Sequence, residues 1–181
     1  MRWQPSVNQL ITTHMLQNFE NGYAVSGSSE IAKTEKNDCA VRAIANACGV
    51  NYNQAHKFVS ENFNRKKGKG TQLFITTLDK IKEIKFDEVG QLSLFANGIS
   101  RKLKCIGKAP KLGGELANPK YKHKPVAFTV KEFAQKFNKG KYIVAVNKHA
   151  LAIKDGVIVD NRDKQFSGYR RVVEAAYQVI K

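Results

Sequence analysis

Three residues whose side chains can perform acyl-transfer chemistry occur along this chain in the order Cys39, His149 and Asp160. A cysteine thiolate is a nucleophile, an imidazole can serve as its general base, and a carboxylate can orient the imidazole. Cys39 and His149 lie 110 positions apart in the sequence. Their chemistry therefore depends on the secondary-structure elements that position them.

The sequence around Cys39 predicts a short helix that Cys39 itself begins. Asp38 or Asn37 is suited to cap its N-terminus, and Gly49 suits the left-handed residue that often follows the last turn of a helix. Apolar residues recur at helical spacing and predict one buried face: Val41, Ile44, Ala45 and Cys48. Cys39 would then lie at the positive end of the helix dipole, which favours the thiolate.

Two nearby cations, Lys36 and Arg42, are expected to favour the thiolate of Cys39 in the same way. Cys48, on the apolar face, is expected to be an ordinary buried cysteine. That structural role is also the alternative for Cys39.

His149 and Asp160 lie on a predicted β-hairpin. The turn residues Asp155-Gly156 are typical of a two-residue hairpin loop. Counting outward from this turn places Leu151 opposite Asp160, so Asp160 arrives about two residues from His149 on the adjacent strand. A carboxylate at that distance can orient an imidazole.

Asn161 is the alternative orienting residue, because an amide oxygen can perform the same task. Successive strand residues point to opposite sides, so only one of Asp160 and Asn161 can face His149. The structural alternatives are an ordinary strand histidine at His149 and a strand end at Asp160.

Further helices and strands are predicted around these elements. Helical spacing of apolar residues predicts helices over 8–23, 51–63 and 73–81, and a short helix capped by Thr129. Strands are predicted over 142–147, 149–154, 157–160 and 169–180, with a further strand and turn within 85–94. The segment 96–124 is rich in lysine, glycine and proline, and is predicted to be an irregular, exposed connection.

The segments that carry the three residues resemble the papain-like cysteine peptidases, particularly small bacterial and phage-encoded members. The resembling motifs are 37–43 (NDCAVRA) and 148–161 (KHALAIKDGVIVDN), within the longer segments 35–63 and 126–162. In that superfamily a cysteine at the start of a helix packs against a sheet that bears the histidine and then Asp or Asn.

The resemblance implies one α+β domain over 1–181, with N-terminal helices packed on a small antiparallel C-terminal sheet. Residues 1–35 would form an N-terminal extension, 36–63 the nucleophile helix and the helix after it, and 126–181 the sheet. It also implies a cysteine hydrolase, a peptidase or amidase, that forms an acyl-enzyme at Cys39. No cofactor is implied.

One position departs from the family pattern. Larger papain relatives have an oxyanion-stabilising Gln about six residues before the nucleophile, where this chain has Lys33. The backbone N–H of Cys39 can donate to an oxyanion, and Asn37 is the candidate side-chain donor. Asp38 would repel an oxyanion and is expected to be a cap or salt-bridge partner. Peptide hydrolysis, acyl transfer to an amine and an inactive binding scaffold therefore all stay open.

The net charge of +16 favours polyanionic partners. Lys66, Lys67 and Lys69 are the predicted basic surface, although a solvated surface is the plain alternative. No nucleic-acid-binding motif accompanies the charge, so we expect weak, non-specific nucleic-acid binding at most. The charge also favours an acidic peptide or protein substrate.

The composition is that of a globular protein, with 42% hydrophobic and 25% charged residues. No apolar run approaches the roughly 20 residues of a membrane span, and the N-terminus lacks a signal-peptide pattern. Three cysteines without metal-ligand spacing favour a reducing, cytoplasmic location. His14, His56 and His123 have no partner at metal-ligand spacing, so no metal site is predicted.

Overall fold

The computed structural model describes residues 19–65, 70–86, 98–121, 126–160 and 170–181. Within these ranges the α-helices are α1 (Glu30–Thr34), α2 (Cys39–Cys48), α3 (Tyr52–Asn62), α4 (Phe74–Lys80) and α5 (Val130–Lys136). The strands are β1 (Phe19–Asn21), β2 (Glu83–Phe86), β3 (Ile99–Lys108), β4 (Lys141–Val146), β5 (His149–Lys154), β6 (Val157–Asp160) and β7 (Val173–Ile180). Two short 3₁₀ helices span Gly22–Ser26 and Pro110–Leu112.

The strands form one seven-stranded sheet in the order β1-β6-β5-β4-β7-β3-β2. Strand β1 is parallel to β6, and the other neighbours are antiparallel. Helices and a sheet built from separate parts of the chain confirm the α+β class. The prediction of a small antiparallel C-terminal sheet was wrong, because the sheet has seven strands, β1, β2 and β3 precede the C-terminal third, and β1 adds a parallel pair.

Strand β3 occupies residues 99–108 of the segment predicted to be an irregular connection over 96–124, so the prediction was wrong there. The described residues 109–121, in contrast, form no further strand and carry only the short 3₁₀ helix Pro110–Leu112. Strand β3 pairs with β2 on one side and β7 on the other, with a bulge between Cys105 and Gly107. Lys102 and Lys104 are exposed, whereas Leu103 packs against the core. The prediction missed this strand because its lysines and glycine are uncommon in strands, whereas pairing with the two neighbouring strands stabilises it.

Residues 8–18 of the helix predicted over 8–23 lie outside the described ranges. The rest of that prediction was wrong, because residues 19–23 form no α-helix. Residues 19–21 form β1, and Asn21 accepts a hydrogen bond from the backbone N–H of Tyr23 to begin a 3₁₀ helix. The reason is tertiary: β6 supplies backbone hydrogen-bond partners to β1. Part of the predicted N-terminal extension therefore belongs to the sheet.

Helices α2 to α5 and strands β4 to β7 lie close to their predicted positions, whereas α1 was not predicted and β2 begins two residues before the strand predicted within 85–94. Gly49 ends α2 in the left-handed conformation, with φ +68°. Capping boxes begin α3 at Asn51 and α5 at Thr129. The hairpin pairs Lys154 with Val157, as predicted from its two-residue turn. No helix in the described ranges has the length and apolar character that crossing a lipid bilayer requires.

Two hydrophobic clusters occupy the two faces of the sheet. One joins the sheet to α2, α3 and α4 and includes the fully buried Val41 and Ile44. The other lies beneath α5 and includes Phe133 and Leu151. The apolar face of α2 therefore fixes the position of its first residue against the sheet.

Candidate active site

Cys39 is the first residue of α2, and this helix packs directly against β5, the strand that His149 begins. Hydrogen bonding to the His149 side chain lowers the pKa of the Cys39 thiol, and the backbone N–H groups of Ala150 and Ala40 act in the same direction. Because the N–H groups at a helix N-terminus lack intrahelical acceptors, this is a favourable position for a thiolate.

His149 is also hydrogen-bonded to Asp160, with 2.7 Å between Nε2 and Asp160 Oδ1. Both side chains are nearly buried, at 6% and 4% exposure. Since Asp160 accepts at Nε2, Nδ1 is the ring nitrogen that faces the thiol. The structure thus brings Cys39, His149 and Asp160 into one hydrogen-bonded chain.

The hairpin and the sheet edge explain why Asp160 is buried. Lys154, Ile153 and Ala152 on β5 pair in order with residues of β6, which carries Asp160 to the level of the start of β5. On its other side Asp160 is the register partner of Asn21 on β1. Pairing with β1 therefore makes β6 an interior strand of the sheet at this point, and Asp160 is only 4% exposed.

The pKa shifts of Cys39 and His149 favour an ion pair. Burial by itself raises the pKa of Cys39, but the His149 hydrogen bond and charge, with the Ala150 and Ala40 N–H groups, lower it below its ordinary value. Burial by itself lowers the pKa of His149, but Asp160 and Cys39 outweigh this effect and raise the pKa to about 9. Both shifts therefore favour the thiolate–imidazolium form of the pair over the neutral form. In contrast, burial raises the pKa of Cys48 to about 12, as expected for a structural thiol.

Cys39 and His149 line a cavity of about 770 Å³. Ligand sites in proteins typically enclose about 300–1,000 Å³. One wall comes from β4, the β4–β5 turn and Glu174, and another comes from the segment 70–76. An extended substrate segment can therefore reach the sulfur.

The segment 70–76 was not identified as part of the site from the sequence, because its residues carry no catalytic chemistry. What distinguishes this segment is its backbone conformation and exposure in the folded protein. Leu73 is 69% exposed and has φ +51°, a conformation that costs a leucine energy. Neither property can be read from the sequence alone.

Asn37 and Asp38 also line the cavity, but they differ in exposure. Asn37 is exposed and has φ +56°, so its side chain remains a candidate oxyanion donor. Asp38 is buried, occupies the N-cap position of α2 and makes no side-chain capping bond. Its Oδ2 instead accepts from Arg42 at 2.8 Å and from the Tyr52 hydroxyl at 2.7 Å.

The expectation that Arg42 acts on Cys39 needs correction. The Arg42 guanidinium is paired with Asp38, lies 4.2 Å from the Tyr23 ring centroid and donates to Ser26. Its charge is therefore compensated by the Asp38 carboxylate, and the thiol owes its lowered pKa to His149 and backbone N–H groups. Lys36, the other cation that was expected to favour the thiolate, is exposed in the segment that precedes α2.

Four of the predicted residues lie outside the described ranges: Asn161, Lys66, Lys67 and Lys69. Across the part of the chain that is described, no group of three or more His, Cys, Asp and Glu side chains is arranged to hold a metal ion.

Comparison of the chain with known protein families, with curated proteins and with solved structures finds no match.

Proposed function

We propose that this protein is a papain-like cysteine hydrolase that cleaves amide bonds in peptides or proteins. The observation that carries this proposal is the hydrogen-bonded chain from Cys39 through His149 to Asp160 at an open cavity. A nucleophile, a base and an orienting group in contact form the general arrangement of covalent acyl-transfer catalysis.

In the acylation step the Cys39 thiolate attacks the carbonyl carbon of the scissile amide. The S–C bond forms while the carbonyl π electrons move to oxygen. The backbone N–H of Cys39 and the side chain of Asn37 are the proposed donors to that oxygen. When the intermediate collapses, the C–N bond breaks and the His149 imidazolium gives its proton to the departing amine.

In the deacylation step the neutral His149 takes a proton from water, which attacks the thioester carbonyl. The S–C bond breaks, the acid product leaves, and the thiolate–imidazolium pair is restored. Asp160 holds the ring orientation and stabilises its charged form in both steps. An amine in place of water would give acyl transfer with the same three residues.

The net charge of +16 favours a second candidate function, in which the fold is inactive or acyl-transferring and binds nucleic acid or an acidic protein. In its inactive form this candidate requires no reaction at Cys39, whereas acyl transfer would use the same three residues as hydrolysis. The hydrolase and the inactive binding scaffold therefore differ in the behaviour of the thiol.

The proposal is tested by incubating the protein with an activated ester or a fluorogenic peptide-amide library and identifying acylated residues by mass spectrometry. We expect acylation of Cys39 and its loss in His149→Ala. Cys105→Ala is the matched control, because Cys105 is exposed and free and lies on β3. Equal labelling of Cys39 and Cys105 in the native protein, with no dependence on His149, would refute the hydrolase.

A further inference from the structure

The turn that precedes the nucleophile carries two carboxylates, and each is paired with a nearly buried arginine. Glu35 Oε2 lies 2.6 Å from Arg65 Nη2, and the two side chains are 6% and 2% exposed. Glu35 Oε1 also contacts His56 Nε2 at 3.1 Å. At the other end of the turn Asp38 is paired with Arg42. The four-residue turn 35–38 is therefore held at both ends by buried ion pairs.

Arg65 also binds the main chain of this turn. Its Nη1 donates to the carbonyl oxygen of Asn37 at 3.3 Å, and its Nη2 donates to that of Lys36 at 3.5 Å. On another side Gly70 packs closely, since a Cβ at Gly70 would lie 3.2 Å from Asn37 O and 3.3 Å from Asn37 Cβ. Asn37 is thus held between an arginine and a glycine in its left-handed conformation.

These contacts contribute little net free energy to the stability of the turn. A buried ion pair gains little net stability, because desolvation of both charges offsets their attraction. The left-handed backbone of Asn37 adds a further cost. What the arrangement does specify is the position of one residue, Asn37, at the edge of the cavity beside Cys39.

We infer that Arg65 is a positioning residue that holds Asn37 where its side chain can stabilise the oxyanion of the acylation step. This inference rests on the proposed hydrolase function and assigns it a residue that lies outside the catalytic chain. Arg65 touches neither the sulfur nor the imidazole in the described contacts, so it acts through the backbone of Asn37.

Two reactions of the same sulfur separate this role from general damage to the site. Acylation passes through an oxyanion and needs donors to that oxygen. Alkylation by iodoacetamide forms an S–C bond as the C–I bond breaks and iodide leaves, and no oxyanion arises. A displaced Asn37 therefore slows acylation and leaves alkylation unchanged, whereas loss of the thiolate slows both.

The test variant is Arg65→Lys, which retains the positive charge beside Glu35 but lacks the rigid fork that reaches the two carbonyl groups. Arg101→Lys is the matched control, because Arg101 donates to the carbonyl oxygen of Cys48 at the opposite end of the nucleophile helix. Gly70→Ala is a second test variant, since its new Cβ would press on Asn37 from another side and would also strain the left-handed backbone of Gly70, at φ +76°. Circular dichroism and thermal unfolding verify the fold of each variant.

For Arg65→Lys and Gly70→Ala we expect the acylation rate to fall by roughly 10- to 100-fold, as for small displacements of positioning groups. The alkylation rate of Cys39 should stay within about twofold of the native rate, and Arg101→Lys should match the native protein in both reactions. Native acylation rates in the folded variants, or equal losses in acylation and alkylation, would overturn the role of Arg65. If Arg65→Lys does not fold, Gly70→Ala decides on the same criteria.

Failure of the proposed function has a different signature. The native protein would then show no acylation of Cys39 above that of Cys105, whatever the variants do. In that case the positioning role of Arg65 is refuted together with the hydrolase.

Discussion

The Nε2 atom of His149 lies 2.7 Å from Oδ1 of Asp160, on the strand adjacent to that of His149. This contact occupies one ring nitrogen and leaves Nδ1 for the thiol of Cys39. It also raises the pKa of His149, because the buried carboxylate stabilises the imidazolium. This cross-strand hydrogen bond therefore orients the imidazole and, together with Cys39, favours its charged form.

The orienting role of Asp160 predicts an asymmetry between neighbouring substitutions. Asp160→Ala should lower kcat by at least about 10²-fold, the range that a positioned general base contributes. Asn161→Ala should have a much smaller effect. Steady-state kinetics on the same substrate measure both, and the reverse ranking would assign the orienting role to Asn161.

The two pKa shifts predict a bell-shaped pH profile for kcat/KM. The rate should rise as the Cys39 thiol ionises at a pH below its ordinary pKa, and it should fall near pH 9 as the His149 imidazolium deprotonates. Asp160→Asn removes the charge that raises the pKa of His149, so the alkaline limb should move to lower pH. An alkaline limb unchanged in Asp160→Asn would show that Asp160 does not control the charge of His149.

The buried bond from Tyr52 to Asp38 predicts a stability effect beside the nucleophile. Tyr52→Phe removes one of the two side-chain donors to a buried carboxylate, and should reduce the free energy of unfolding by about 1–3 kcal/mol. Tyr23→Phe is the control, because the Tyr23 ring is half exposed and keeps its stacking on Arg42. Urea denaturation measures both variants, and equal stability losses would contradict this assignment.

The second candidate function predicts salt-dependent binding to a polyanion. For about six phosphate contacts on a duplex, affinity should fall by about three orders of magnitude between roughly 50 and 200 mM salt. Charge reversal of Lys66, Lys67 and Lys69 together should reduce that slope, whereas Cys39→Ala should leave it unchanged. Fluorescence anisotropy with a labelled duplex measures the slope. Sequence-selective micromolar binding near 150 mM salt that survives Cys39→Ala would instead favour nucleic-acid recognition as the main function.

Local patterns in the sequence were sufficient to locate the elements that carry the three proposed catalytic residues. Apolar spacing and Gly49 located α2, and the turn at Asp155-Gly156 set the hairpin register. Both depend on interactions between residues close in sequence, such as capping, backbone conformation and side-chain periodicity. The candidate set of Cys39, His149 and Asp160 followed from these local rules.

Other features depend on contacts between distant segments, and only the tertiary structure decided them. Strand β3 exists because β2 and β7 pair with it, and β1 exists because β6 does. Arg42 was predicted to favour the thiolate of Cys39, but in the folded protein its guanidinium is paired with the Asp38 carboxylate. The position of segment 70–76 in the cavity wall and the hydrogen bond from Arg65 to the Asn37 carbonyl likewise arise from long-range packing. A charge or a donor acquires its partner only when the chain has folded, so sequence periodicity locates elements but does not assign such pairs.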